Sequence, residues 1–239
     1  MTSSKSSLNT PNTGLTDLDI GLLSELERLS ETLVWYTPSQ IDKGEHSRME
    51  QDKGIRAWSV SPATGQFLYD LVQKKNAKCV IELGTSVGYS TLWLGLSMKK
   101  NTGKKENTGD EITPRLFTIE KNEQKTEIAK RYFLKSGIDS IVKLYDGQIL
   151  EKIPEIISAL EMEKTGDKKA DVIFFDADRS KYSAYLDALS PTIGNDTILV
   201  IDNAIDMKDR LEPFRKHLEE AGWKIELVNV GDGLWLCQK

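Results

Sequence analysis

Residues 78–91 read KCVIELGTSVGYST, and this stretch decides the fold of the chain. It opens with an apolar run that is typical of a buried strand. It then passes through two glycines, Gly84 and Gly88, and continues into a helical pattern over residues 90–98. A strand, a glycine turn and a helix form the unit with which an α/β sheet builds a nucleotide-type site. We expect Gly84 to permit the tight turn and Gly88 to let the helix pack closely on the strand.

The spacing of the glycines narrows the class of ligand. A dinucleotide site has the pattern G-x-G-x-x-G, in which the second glycine lets the backbone approach a pyrophosphate. Here that second position is Ser86, and no P-loop lysine follows. An acidic residue, Glu82, precedes Gly84, and this arrangement fits a ligand that carries adenosine without phosphate. S-adenosylmethionine is the common ligand of that kind. The structural alternative is a strand–helix corner that binds no ligand.

Length and composition predict one globular domain. The chain has 239 residues, which is enough for a single sizeable core. Residues 1–14 are Ser, Thr and Asn with little apolar content, and we expect a disordered tail there. Residues 15–239 are expected to form the domain. Its first part, 15–57, contains an amphipathic helix and a polar segment that could lie over a substrate.

The net charge and the cysteines indicate which binding partners and which cellular compartment to expect. A net charge of −5 argues against a nucleic-acid partner. No apolar run has the length of a membrane span and no signal peptide is visible, so we expect no membrane partner. Cys79 and Cys237 lie in strand-like runs and predict two reduced, buried thiols. The protein is therefore expected to be cytoplasmic.

Strands and helices alternate along the rest of the chain. The apolar runs do not alternate with polar residues, which favours a parallel sheet covered on both faces by helices. A terminal pair adds an antiparallel strand. The predicted strands are Cys79–Leu83, Leu116–Ile119, Ile141–Tyr145, Val172–Asp176, Thr197–Asp202, Ile225–Val230 and Leu234–Gln238. The predicted helices cover residues 61–75, 90–98, 123–135, 149–160, 181–189 and 207–221.

Acidic residues follow the predicted strands. In such a sheet a ligand binds beyond the carboxyl ends of the strands. Glu120 ends the second strand and is the natural partner for ribose hydroxyls, at an interval lengthened by the polar insert 99–114. The alternative for Glu120 is a solvated glutamate before a helix, where the helix dipole favours it.

The ends of the predicted fourth and fifth strands carry side chains that could together bind a metal ion. Asp176 ends the fourth strand, and Asp202 and Asn203 end the fifth. On neighbouring strands, two carboxylates and an amide oxygen could converge on one ion, and such hard ligands suit Mg²⁺, Ca²⁺ or Mn²⁺. The alternative is local chemistry, with Asp-Asn as a turn and Asp178 as the cap of the next helix.

Together, these motifs resemble the cation-dependent O-methyltransferases of the catechol and caffeoyl-CoA type. The likeness rests on VIELGTSVGYSTLWL, FTIE, FFDADRSKY and LVIDNA, in that order, with SPATGQFL before the first strand. It covers about Trp58 to the C-terminus. It implies an α/β, Rossmann-like class I methyltransferase fold with a seven-stranded, mostly parallel sheet, an antiparallel terminal strand and helices on both faces. The run DNAIDMKDRLEPF is more similar to a bacterial-type branch, which leaves the acceptor open.

The resemblance also implies cofactors and binding residues. The cofactors would be S-adenosylmethionine and a divalent cation, with Mg²⁺ ahead of Ca²⁺ and Mn²⁺. Asp176, Asp202 and Asn203 would bind the cation. The implied cofactor-binding residues are Val60 and Ser61 at the carboxylate end, Glu82, Gly84, Ser86, Gly88 and Ser90 in and after the glycine turn, Glu120 at the ribose, Gly147 and Gln148 beside the adenine, and Asp176.

The implied catalytic residues are Asp176 and Arg179. The ion would hold two neighbouring substrate oxygens and lower the pKa of one hydroxyl, and the oxyanion would attack the sulfonium methyl. Where this chain has Arg179, the family has a lysine that is thought to take the hydroxyl proton, and arginine is a poor base. Either the metal suffices, or Arg179 only stabilises the oxyanion, or Lys181 substitutes. We expect metal activation to dominate, so that Arg179→Lys leaves activity within a modest factor.

Alternative functions remain beside a methyltransferase acting on a small hydroxylated aromatic. One is an RNA-modifying methyltransferase that acts on a hydroxylated base, against which the acidic net charge argues. Another is a binding or structural protein that keeps the fold without activity, and the intact acidic residues speak against it. A nicotinamide-dependent reductase is disfavoured by Ser86. The family often forms homodimers, and the sequence itself leaves the assembly open.

Overall fold

A computed structural model describes residues 14–32, 57–101, 115–162 and 168–239 of the chain. The predicted disordered tail lies outside the described residues except for Gly14. The polar part of the segment that could lie over a substrate, and most of the insert 99–114, also lie outside them. Within the described part, no helix combines the length and the apolar character that a membrane crossing requires.

The described residues form one seven-stranded sheet. Its strands are β1 (Cys79–Leu83), β2 (Arg115–Glu120), β3 (Val142–Asp146), β4 (Ala170–Phe175), β5 (Ile193–Asp202), β6 (Lys224–Val228) and β7 (Leu234–Gln238). The strand order is β3-β2-β1-β4-β5-β7-β6. The pairs from β3 to β5 are parallel, and β7 is antiparallel to both β5 and β6. The predicted sheet with its antiparallel terminal strand is confirmed.

Helices cover both faces of this sheet. They are α1 (Asp17–Thr32), α2 (Pro62–Lys75), α3 (Tyr89–Lys100), α4 (Glu123–Ser136), α5 (Ile149–Glu161), α6 (Tyr182–Leu189) and α7 (Lys208–Glu220), with 3-10 turns at Arg179–Lys181 and Ser190–Thr192. Local signals fix several helix ends. Ser61 accepts the N–H of Thr64 at 3.1 Å and begins α2, while Gly137 ends α4 in the left-handed conformation.

Two apolar layers hold the sheet between the helices. Every residue of β1 is buried, and alternate side chains enter opposite layers, with Val80 in one and Ile81 in the other. Helices α1 to α4 pack on the first layer, and α5 to α7 on the second. Full burial of each such side chain contributes roughly 1.5–3 kcal/mol. Cys79 and Cys237 are both buried, and neither is in a disulfide.

The start of β5 differs most from the prediction, while β2, β3, β4 and β6 differ by one or two residues at their ends. β5 begins at Ile193 rather than at Thr197. Its first four residues are Ile, Gly, Asn and Asp, so they lack the apolar run that marks a buried strand. The pairing of β4 with β5 also shifts register between Ala170 and Val172. The early part of β5 is therefore set by pairing with its neighbour rather than by its own residues.

The strand order positions the site. β1 lies between β2 and β4, and the chain reaches β2 and β3 on one side of it and β4 and β5 on the other. The order of the strands therefore reverses at the β1–β4 boundary, and the loops after these two strands leave in opposite directions. Ligands of open α/β sheets bind in the crevice that this reversal opens beyond the carboxyl ends.

Candidate active site

The glycine turn after β1 touches the end of β4. Gly84 has a φ of +104°, a backbone conformation that favours glycine. A Cβ added to Gly84 would overlap the backbone oxygen of Asp176. The N–H of Asp176 donates to the carbonyl oxygen of Leu83 at 3.0 Å. The predicted cofactor turn and a predicted metal ligand are therefore in direct contact.

The role expected for Gly88 needs a correction. Gly88 precedes α3 and has a φ of +93°. A Cβ added there would lie 2.8 Å from the ring of Phe133 and 3.1 Å from the Cβ of Ala129. Both residues belong to α4, so the missing side chain permits a close approach between α3 and α4. The expected close packing on the strand is not what the nearest atoms show.

Glu120 clamps the glycine turn onto the end of β2. Its Oε2 accepts the backbone N–H of Ser86 at 2.9 Å. Its Oε1 accepts the N–H groups of Lys121 and Asn122 at 3.0 and 2.9 Å. The side chain is buried, so the alternative of a solvated glutamate is wrong. A carboxylate has about four lone-pair sites, so Glu120 keeps acceptor capacity for a ligand hydroxyl after these three bonds.

Glu82 is a buried carboxylate inside β1. Its Oε2 accepts the hydroxyls of Thr91 and Thr118 at 2.5 and 2.6 Å. Its Oε1 is buried and has no hydrogen-bond partner among the residues that the structure describes. Burial raises the pKa of Glu82 to about 7, although the hydroxyls of Ser90, Thr118 and Thr91 lower it. Glu82 thus keeps unused acceptor capacity on an oxygen that is fully buried.

The residues expected at the carboxylate end of the cofactor lie beneath the turn that joins β6 to β7. Val60 is buried, and the hydroxyl of Ser61 caps α2. A Cβ added to Gly231 would overlap the hydroxyls of Ser61 and Thr64. The start of α2 and this turn are therefore packed together, a contact that no local sequence pattern predicts.

The residues expected beside the adenine lie next to Glu120. The N–H of Gly147 donates to the backbone oxygen of Glu120 at 2.9 Å. Gln148 is exposed at the start of α5, and its side chain makes no capping bond. Both residues follow β3, the neighbour of β2, so the structure brings together the three residues expected around the nucleoside.

Asp176 and Asp202 form an acidic pair at the ends of β4 and β5. These strands are neighbours, with Phe175 paired to Ile201. Burial is the main cause that raises the pKa of Asp202 to about 8, and the charge of Asp176 adds to it. Burial also raises the pKa of Asp176. Two carboxylates whose charged forms are both disfavoured make a site that a cation would stabilise.

Arg179 and Asn203 stand beside the acidic pair. Asn203 has a φ of +60°, which asparagine adopts more readily than most residues. The Nη2 of Arg179 donates to the Oδ1 of Asn203. The positive charge of Arg179 lowers the pKa of both Asp176 and Asp202. The four residues expected to carry the chemistry are therefore within electrostatic reach of one another.

The other candidates in the same loop act locally. Asp178 accepts the N–H of Ser180 at 3.2 Å and caps the 3-10 turn, as the local alternative predicted. The ammonium of Lys181 lies 3.8 Å from Asp178, and its side chain is half exposed. Lys181 is thus paired in the loop, which argues against it as a substitute for the family's lysine.

Asp232 was missed by the sequence reasoning. Its carboxylate accepts the Nδ2 of Asn203 at 3.5 Å, and its backbone oxygen accepts the N–H of Ile205 at 2.9 Å. Its charge raises the pKa of Asp176 and of Asp202. The one signal in the sequence was an acid between two glycines, in a turn that returns to the edge where β5 ends. Asp232 orients the Asn203 amide so that Oδ1 is turned toward Arg179.

The side chains present fit the two groups that the resemblance implies. Two carboxylates and an amide oxygen are hard donors of the kind that Mg²⁺ takes. The buried, unpartnered oxygen of Glu82 and the spare acceptor capacity of Glu120 suit an ammonium and ribose hydroxyls. In the described ranges, no three His, Cys, Asp or Glu side chains are arranged to hold a metal, and the expected donor set has two carboxylates and the amide of Asn203.

A cavity of about 630 Å³ lies elsewhere, between α1 and α4. None of the predicted site residues lines it. Its walls mix acidic and basic side chains, among them Glu25, Glu127, Arg131 and Lys135. The chemistry-bearing residues therefore lie at the strand ends and not in this cavity.

Known proteins resemble this chain in sequence. A family described as O-methyltransferase matches residues 45–239. A catechol O-methyltransferase of Niastella koreensis is 31% identical over 154 residues, which cover 64% of this chain and 62% of that protein. The match thus spans less than two thirds of that relative's length. A caffeoyl-CoA O-methyltransferase of Medicago sativa is 25% identical, over 82% of this chain and 83% of that protein.

A solved structure shares the fold. It is that of the O-methyltransferase from Bacillus cereus in complex with SAH, which aligns with a TM-score of 0.59 and 22% sequence identity. The alignment covers 92% of this chain and 99% of that one. The likeness agrees with the Rossmann-like class I architecture that the strand order indicates.

Proposed function

Because this chain belongs to the O-methyltransferase family, we propose that it transfers a methyl group from S-adenosylmethionine to a hydroxyl of a small, catechol-like aromatic. We propose further that a divalent cation, Mg²⁺ first, holds the acceptor. The names of the relatives support the acceptor class, since they include a catechol and a caffeoyl-CoA O-methyltransferase. The donor set of Asp176, Asp202 and Asn203 supports the cation.

One observation carries the proposal: the glycine turn and the acidic pair meet at Gly84. The absent side chain of Gly84 leaves the turn in contact with the backbone of Asp176. A methyl donor held along the turn would therefore be adjacent to an acceptor held at the acidic pair. Methyl transfer needs this adjacency above all, because the sulfonium is already activated and positioning supplies most of the rate.

The cofactor would be held mostly by groups that the fold has fixed. Glu120 would accept a ribose hydroxyl while its bonds to the backbone keep the turn in place. Gly147 and Gln148 would border the adenine. Glu82 would accept a hydrogen bond from the ammonium through its unpartnered oxygen. Val60, Ser61, Ser86, Gly88 and Ser90 would complete the wall along the methionine moiety.

The acceptor would be activated at the acidic pair. When bound, the cation supplies a lowered pKa at one acceptor hydroxyl. Asp176, Asp202 and Asn203 would hold that cation, and Asp232 would keep the Asn203 amide in the binding orientation. Arginine is a poor base, so the part of Arg179 would be to stabilise the developing oxyanion. The methyl group passes from sulfur to that oxygen, and S-adenosylhomocysteine and a proton are released.

The test combines binding and turnover on the full chain. Calorimetry with S-adenosylmethionine comes first, followed by methyl transfer to a panel of catechols with Mg²⁺ and with EDTA. Tight cofactor binding with turnover that EDTA abolishes is the expected result. Cofactor binding without catechol turnover would overturn the acceptor class and direct the search to RNA or other hydroxylated acceptors. Turnover that EDTA leaves intact would overturn the role of the cation.

A further inference from the structure

Arg179 is attached to the same ligands that a cation would use. It opens the 3-10 turn that Asp178 caps, so its backbone is fixed at the end of β4. Its Nη2 donates to the Oδ1 of Asn203, which is the oxygen proposed to bind the cation. Its Nε is buried and has no hydrogen-bond partner within the described part of the chain. The Nη2 of the guanidinium is thus hydrogen-bonded to Asn203, whereas its Nε has no hydrogen-bond partner among the described residues.

The charge of the same guanidinium acts on both carboxylates of the acidic pair. Burial raises the pKa of Asp176 and of Asp202, and the positive charge of Arg179 lowers both. The negative charge of Asp232 raises them further. A positive group beside two buried carboxylates offsets both their repulsion and part of their desolvation. Without a metal, Arg179 therefore takes the electrostatic place of the divalent cation.

We propose that Arg179 and the divalent cation compete for Asp176, Asp202 and Asn203, so that the cation binds when the guanidinium leaves Asn203. The inference rests on the metal-binding part of the proposed function. A lysine would compete less well, because its ammonium lacks the planar fork that an amide and a carboxylate can share. The released guanidinium keeps its backbone anchor at the site, where its charge can serve the acceptor oxyanion.

Metal affinity tests the competition directly. Arg179→Met removes the charge and keeps an unbranched apolar stem. Calorimetric titration of the full chain with Mg²⁺, without acceptor, should show affinity raised about tenfold or more, because a positive charge no longer opposes the dication in a partly buried site. Arg179→Lys should fall between Arg179→Met and the unchanged protein.

Lys181→Met is the matched control. It removes the same charge from the same turn, but its ammonium pairs with Asp178 and is half exposed. Its Mg²⁺ affinity should change less than about twofold, since exposed charges act weakly through water. A rise equal to that of Arg179→Met would overturn the competition, because net charge alone would then explain both variants.

Thermal unfolding gives a second readout. In EDTA, Arg179→Met should unfold about 3 °C below the unchanged protein, because the acidic pair has lost its counter-charge. Saturating Mg²⁺ should remove this difference, since the ion restores the charge balance. A variant whose unfolding temperature is unchanged in EDTA would overturn the idea that Arg179 fills the site without a metal.

The outcomes separate this inference from the proposal beneath it. Measurable but equal or weaker Mg²⁺ binding by Arg179→Met would overturn the competition and leave the metal site standing. Absence of Mg²⁺ binding in both proteins, with S-adenosylmethionine still bound, would overturn the metal site and the competition with it. Binding by Arg179→Met alone would support the competition in its strongest form.

Discussion

The two halves of the site balance their carboxylates in different ways. At the ends of β1 and β2, Glu82 and Glu120 accept hydrogen bonds from hydroxyls and backbone N–H groups. At the ends of β4 and β5, Asp176 and Asp202 are offset by the guanidinium of Arg179. Neutral donors are fixed by the fold, whereas a charged group on a long stem can be exchanged. The first half is therefore held by the fold alone, and in the second the guanidinium lies where we propose that a cation binds.

A side chain at Gly84 should break the contact between the halves. Gly84→Ala places a Cβ against the backbone oxygen of Asp176 at a φ that alanine rarely adopts. We expect the free energy of unfolding to fall by about 4 kcal/mol, measured by urea denaturation. Gly21→Ala is the control, because a Cβ there meets nothing within 4 Å, and it should stabilise α1 by up to about 1 kcal/mol. Equal changes in the free energy of unfolding for Gly84→Ala and Gly21→Ala would contradict the contact between the halves.

A change at the acidic pair should affect the second half alone. Asp202→Asn replaces one buried carboxylate with an amide of nearly the same size and shape. We expect methyl transfer to fall about a hundredfold, or about 2.7 kcal/mol in the barrier, with S-adenosylmethionine affinity held within about threefold. Asp206→Asn, at an exposed position in the following loop, should leave both quantities unchanged. A parallel loss of cofactor affinity in Asp202→Asn would contradict the separation of the halves.

A change at Glu120 should affect the first half alone, because Glu120 holds the glycine turn by hydrogen bonds. In Glu120→Gln, one carboxylate oxygen becomes an NH₂ group that opposes backbone donors. We expect the free energy of unfolding to fall by about 2 kcal/mol and cofactor affinity to fall about tenfold, because buried charge-assisted bonds are lost. Mg²⁺ affinity should stay the same. Glu123→Gln, at the exposed start of α4, is the control for the loss of charge. An unchanged cofactor affinity would show that the turn does not need the clamp.

The pH dependence of Glu82 gives the smallest effect. Its pKa rises from 4.5 to about 7 on folding, so the folded protein binds a proton that the unfolded chain has released. Stability from this group is therefore full below about pH 4.5 and declines as the pH rises through about 7. Glu82→Gln should therefore gain stability relative to the unchanged protein as the pH rises from 5 to 8, by urea denaturation. A variant destabilised equally at both values would contradict the raised pKa.

The sequence predicted the sheet and the ends of its strands because those signals are local. Apolar runs and glycines marked β1 at its observed bounds, and each parallel strand placed its terminal acid at one edge. That was enough to bring Asp176, Asp202 and Asn203 together. The fold class needed no knowledge of how individual side chains meet.

What the sequence did not predict depends on contacts between distant segments. Asp232 joins the site because the β6–β7 turn packs against the loop after β5. The bond from Ser86 to Glu120 and the contact of Gly88 with α4 likewise join separate elements. Such contacts leave no pattern within a short window, so only the folded chain reveals them.

The labelling rates of the two buried thiols can report how the sheet opens. Cys79 is on β1 at the centre, and Cys237 is on β7 near the antiparallel end. Burial raises the pKa of Cys237 to about 12, so its reactive thiolate is scarce while the strand stays in place. A thiol reagent therefore reaches each sulfur at the rate at which its own strand opens. The ratio of the two labelling rates reports whether the antiparallel end frays before the parallel centre unfolds.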